Sequence, residues 1–256
     1  MLQQLINSST PMQIVLYGAV FVMVATSFGS VLTLIFKKLP DGALDFSMAF
    51  SGGIMLVASF TSLILPSIKE GSILITSVGI IAGFFMIFLI ESNVPHEHFI
   101  SGYDGPEDKK EKFKRIWLIA IALIIHNFPE GFAVGVSIIN DPKTGIATAI
   151  AIGIQDIPEG LAVSLPLMMI NKKIGMPLFV GILSGVSEFI TAIIGGFTFS
   201  VLGFLLPFGL SLAGGAMIYV TVKEVFPEIY STGKDRLITF GFLIGFLTML
   251  ILDSAF

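Results

Sequence analysis

The chain has 256 residues, 54% of them apolar and only 12% charged, with a formal net charge of −4. A water-soluble domain carries about a quarter charged residues, so this composition excludes one and points to a membrane protein. No basic cluster of the kind that tracks nucleic acid is present, and the lack of cysteine excludes disulfides and thiolate metal sites.

About 20 apolar residues in helix cross a bilayer core of about 30 Å. Stretches of that size fall at about 12–36, 44–66, 72–90, 116–139, 145–170, 177–200, 204–226 and 237–253. The first lacks a basic lead and a small-residue cleavage site, and is read as a retained span rather than a signal peptide. Most separators combine charge with Gly or Pro, as in "KKLPDG" and "NDPKTG". Between the sixth and seventh stretches "GFLLPFG" has no charge, so eight spans is the count and seven the alternative. The expected fold is an all-α integral membrane protein, one transporter domain over 1–256, with a polar loop at about 91–115.

Lys and Arg set the orientation. With the N-terminus outside, the inner face holds eleven of them, from Lys37 and Lys38 to Lys234 and Arg236, and the outer face only Lys69 and Lys143. Both termini are therefore expected outside, and the loop at 91–115 in the cytoplasm.

Ionisable side chains at mid-membrane cost a few kcal/mol or more each, and normally face a protein interior or a water-filled path. Here they gather in three consecutive spans: His126 and Glu130, Asp156 and Glu159, and Glu188. At 100° per residue, Glu130 lies about 40° from His126 and about 60° from Asn127 on the other side. Glu159 likewise lies between Gln155 and Asp156. Two facing helices of this kind could build paired subsites, His126 with Gln155 and Asn127 with Asp156, bridged by Glu130 and Glu159. Pro129 and Pro158 cannot donate to the carbonyls of Ile125 and Ile154, so the fourth and fifth helices are expected to break at "HNFPEG" (126–131) and "QDIPEG" (155–160). Gly131 and Gly160 would admit a neighbouring helix. Broken helices with polar groups at the midplane mark transporters.

An imidazole, several carboxylates and two amides form a mixed N/O set without sulfur. That suits Zn²⁺, Mn²⁺, Fe²⁺, Co²⁺ or Cd²⁺ as a transported substrate. Outside this layer, His96 and His98 in "PHEHF" are as often a solvated pair as a ligand set. Glu224, with Glu228 near the inner mouth of the seventh span, reads as interfacial. His96, His98 and Glu224 are kept as candidates for cytoplasmic release or an accessory metal.

With these residues in view, the chain resembles the ZIP (Zrt/Irt-like) family of divalent-metal transporters. The fourth-helix signature His-Asn-x-Pro-Glu-Gly stands at 126–131, and the fifth-helix Pro-Glu-Gly at 155–160. "GGIMLVASFTSLILPS" (52–67) and "GGAMIYVTVKEVFPE" (214–228) are similar to the prokaryotic GufA-like branch. The resemblance implies a binuclear metal centre carried by His126, Asn127, Glu130, Gln155, Asp156, Glu159 and Glu188. It also implies uptake toward the cytosol, a bacterial inner membrane, homodimers, no organic cofactor, and movement of helices one, four, five and six against the rest. Gln155 departs from the commoner histidine and loosens the preference for zinc over manganese or iron. Lys223, where some relatives carry histidine, weakens an exit site at Glu224. The alternative from another class is a membrane-embedded metal-dependent hydrolase, in which two bridged metals activate water; against it, no HExxH is present.

Overall fold

The computed structural model describes residues 6–36, 39–40, 42–93, 109–171 and 174–255. Among them there is no strand. Helix α1 covers Pro11–Val31 and opens on a reciprocal cap: Thr10 Oγ1 accepts from the Gln13 amide while Gln13 Oε1 accepts from that of Thr10. Helix α2, Ala43–Ala58, starts after Gly42, whose φ of 81° suits a residue without a Cβ. It passes through a π segment, Ser59–Ile64, into α3, Leu65–Glu70. Helices α4 (Ile73–Asn93), α5 (Lys109–Asn140), α6 (Pro142–Asn171) and α7 (Gly175–Val201) follow. Helix α8, Leu206–Val220, also runs through a π segment, Thr221–Val225, into α9, Phe226–Tyr230, before the last helix α10, Asp235–Ala255.

Seven helical stretches among the described residues are long and apolar enough to cross a membrane: Pro11–Leu34, Ala43–Glu70, Ile73–Asn93, Pro142–Leu165, Gly175–Val201, Gly203–Val225 and Asp235–Ala255. Helix α5 is not among them, because the side chains of much of its apolar first half lie outside those described.

The expected breaks at Pro-Glu-Gly are not seen. Helices α5 and α6 run through Pro129 and Pro158 as continuous helix. A proline removes one hydrogen bond of the ladder, and packed neighbours can hold the rod together across it. That support is visible: a Cβ at Gly131 would collide with the backbone of Glu188 on α7, and one at Gly160 with the carbonyl of Thr26 on α1. Both glycines admit a helix as expected. The irregular backbone lies instead in the π segments between α2 and α3 and between α8 and α9, each followed closely by a proline, Pro66 or Pro227.

Helices α1, α5, α6 and α7 pack on one another as a four-helix group. Beside it stand two pairs, α2 with α10 and α4 with α8. Glycines set these contacts too, Gly53 and Gly245 between α2 and α10, Gly83 and Gly215 between α4 and α8. The outer faces of α4 and α10 expose Phe84, Phe85, Phe88, Phe240 and Ile251, as a lipid-facing surface requires.

A single residue, Asp141, separates α5 from α6. Its carboxylate caps α6 by accepting from the Thr144 amide and hydroxyl, at 2.9 and 2.7 Å. At 1.5 Å per residue, Glu130 lies about 16 Å and Asp156 about 22 Å from this hairpin turn. The turn thus brings the two motifs to comparable depth.

Candidate metal centre

All seven residues expected at the midplane are buried: His126, Asn127, Glu130, Gln155, Asp156, Glu159 and Glu188 are each no more than 2% exposed. Their helices come from the four-helix group, so the glycine contacts that draw α5, α6 and α7 together also draw the side chains together.

Glu130, Asp156 and Glu159 each offer one oxygen, and these atoms lie within 4.8 Å of one another. Two oxygens on one tetrahedral zinc ion would be about 3.4 Å apart, from Zn–O bonds near 2.1 Å. Small side-chain adjustments therefore close the trio on a cation. Gln155 Nε2 donates to Glu130 Oε1, and Asn127 Nδ2 donates to Glu188 Oε1. Each amide thus spends its donor side on a carboxylate. Asn127 Oδ1, Gln155 Oε1, Glu130 Oε2, Glu159 Oε1 and both Asp156 oxygens are buried without a hydrogen-bond partner among the described residues. Buried polar atoms are normally satisfied, and a cluster composed of acceptors alone is what a cation needs. None of Glu130, Asp156, Glu159 or Glu188 has a lysine or arginine partner among the described residues.

His126 Nε2 is 4.0 Å from Glu159 Oε1 and its Nδ1 3.2 Å from Glu224 Oε2. Asn127 is engaged by Glu188. Glu224, read as interfacial in the sequence, is only 3% exposed and stands against the imidazole. It belongs to the π segment Thr221–Val225, and its carboxylate reaches His126 on α5. The side chain of Glu228 and both histidines of the loop, His96 and His98, lie outside the described residues.

Sequence reasoning missed Thr26. Its hydroxyl donates to Glu188 Oε2 at 2.7 Å and it is 1% exposed. The available signal was a threonine at mid-span in "MVATSFG", but serines and threonines are common in membrane helices and usually bond to their own backbone. Lys223, next to Glu224, points elsewhere: it is 56% exposed and 3.6 Å from Glu91, which also accepts from the Tyr219 hydroxyl.

Known proteins fit this arrangement. The family model described as ZIP Zinc transporter matches residues 96–253. The chain is 34% identical to Zinc transporter ZIPB of Bordetella bronchiseptica, over 90% of its own length and 77% of that protein's. It is 32% identical to Zinc transporter GufA of Myxococcus xanthus, covering 90% and 94% of the two chains. Zinc transporter ZIP11 of Homo sapiens is similar at 28% identity, over 93% and 96%. A match of this breadth, over a chain whose two Pro-Glu-Gly helices meet at a buried cluster of oxygens, shows that it belongs to the ZIP zinc transporter family.

Proposed function

We propose that this chain carries divalent transition-metal cations, zinc foremost and cadmium, iron, manganese or cobalt as further candidates, across the membrane toward the cytosol through a binuclear midplane centre. The observation that supports it most is the buried trio of Glu130, Asp156 and Glu159 with its unpartnered oxygens. Relatives named as zinc transporters support zinc as the substrate. The donor set of one imidazole, two amide oxygens and carboxylates is compatible with that choice and with the other metals named.

In this reading Glu130 and Glu159 bridge two cations, with His126 and Gln155 on one and Asn127, Asp156 and Glu188 on the other. Helix α5 is the eighth span, which the apolar run 116–139 supports. The distribution of Lys and Arg supports outward termini and a cytoplasmic loop before α5. His126 lies between Glu159 and Glu224, so a cation leaving the trio would meet Glu224 next. The close packing of α1, α5, α6 and α7 supports their moving as one body against α2, α10, α4 and α8. A homodimer and a bacterial inner membrane rest on the family resemblance alone. The sequence offers no HExxH to support the hydrolase alternative.

The test is uptake of Zn²⁺, Mn²⁺ and Fe²⁺ into liposomes with an internal indicator, for wild type and Glu130→Ala. Selective uptake that disappears in the variant supports the reading. Wild-type binding without flux would overturn it.

A further inference from the structure

We infer that Thr26 is a positioning residue for the metal centre: its hydroxyl holds Glu188, and Glu188 holds the Asn127 amide with Oδ1 turned toward a cation. This rests on the transport reading above. Among Glu130, Asp156, Glu159 and Glu188, only Glu188 has a donor on both oxygens, Thr26 on Oε2 and Asn127 on Oε1. The amide nitrogen is engaged by Glu188, and Asn127 Oδ1 has no partner among the described residues.

Thr26 has two competing acceptors, the Val22 carbonyl of its own helix at 3.0 Å and the Asp156 carboxylate, against which the hydroxyl also lies. A single O–H donates to one acceptor at a time, and the Glu188 oxygen, at 2.7 Å, is nearer than the Val22 carbonyl and a stronger acceptor when ionised. Helix α1 has little freedom to slide away. Gly160 seats on the Thr26 carbonyl, Gly29 on that of Ile157, and Gly185 on that of Met23. Three backbone-on-backbone contacts thus deliver the hydroxyl from rigid elements, as a positioned ligand set requires. Donors behind carboxylate ligands fix their aim, and losing one typically weakens metal binding about 10–100-fold.

Thr26→Val keeps the β-branched shape and removes the hydroxyl, whereas Thr26→Ser keeps the hydroxyl. Zn²⁺ affinity is measured on the purified full chain by competition with a chromophoric chelator, and uptake KM and maximal rate in liposomes. Thr26→Val should weaken affinity about 10-fold and raise KM by a similar factor with little change in maximal rate; Thr26→Ser should remain close to wild type. In a Glu188→Ala background, Thr26→Val should change nothing further. Unchanged affinity in Thr26→Val, a serine variant as weak as the valine one, or full additivity with Glu188→Ala would each overturn the inference. Glu130→Ala separates the two claims. If it keeps wild-type zinc binding, the transport centre itself is misassigned; if it loses binding while Thr26→Val does not, only the role of Thr26 fails.

Discussion

Helices α5 and α6 carry the same Pro-Glu-Gly, yet their surroundings treat the two copies differently. On α5, Gly131 seats against α7, Asn127 is engaged by Glu188 of α7, and His126 faces Glu224 beyond α8. On α6, Gly160 seats against α1, Gln155 turns back to Glu130 of α5, and neither oxygen of Asp156 has a partner. The α5 copy is tied to α7 and to the π segment after α8, while the α6 copy supplies the most open acceptors. Duplicated sequence has thus produced complementary halves, because each copy meets a different neighbour.

The comparison is broken most severely by removing the Pro-Glu-Gly carboxylate of either copy. Glu130→Ala and Glu159→Ala should each reduce metal uptake by on the order of 100-fold or more, the loss of a ligand exceeding that of a supporting donor. Liposome flux with a check of folding by thermal melting measures it; retained flux in both variants would remove these carboxylates from the mechanism.

Acidification should weaken both halves together. Carboxylates and imidazole bind metal only when deprotonated, so affinity is greatest at neutral pH and falls as protons compete. Zinc titrations between pH 5 and 8 should show affinity declining toward pH 5. A flat profile would show that these groups are not the ligands.

Adding a methyl group at the glycines tests the seating of each half. Gly131→Ala and Gly160→Ala should each cost about 1–3 kcal/mol through overpacking, since both meet backbone that cannot rotate away. Gly175→Ala, with open space around it, should be neutral. Melting midpoints in detergent compare the three.

The smallest effect is expected from making the halves more alike. Gln155→His should keep transport and shift competition toward zinc over manganese by about tenfold or less, because imidazole suits zinc better than manganese. Equal competition before and after would show that position 155 does not set preference.

Much of the site was legible. Charges are expensive in an apolar span, so His126, Glu130, Asp156, Glu159 and Glu188 declared themselves by being there at all. Helical spacing predicted one face for each motif, and all seven residues are buried as that requires. The hydrogen bonds within the layer were not legible. Which amide meets which carboxylate depends on the rotation of α5, α6 and α7 about their axes, and the glycine contacts decide that rotation. Glu224 was kept as a candidate near the inner mouth, but its contact with His126 was not legible, because it lies 98 positions away and sits in a π segment, whose extra residue per turn resets the face that a regular helix would present. Breaks at Pro129 and Pro158 were expected from an isolated helix, yet neighbouring backbone supports both rods.

By itself the sequence determined that the chain is helical and membrane-embedded, where most helices start and stop, and which residues form the polar layer. Each of these follows from local chemistry: apolar length, caps, and the cost of charge in hydrocarbon. Only the tertiary structure decided that Glu130, Asp156 and Glu159 converge, that Glu224 and Thr26 join them, and that the prolines leave their helices whole. Those outcomes depend on contacts between residues far apart in the chain, set where glycines let one backbone rest on another.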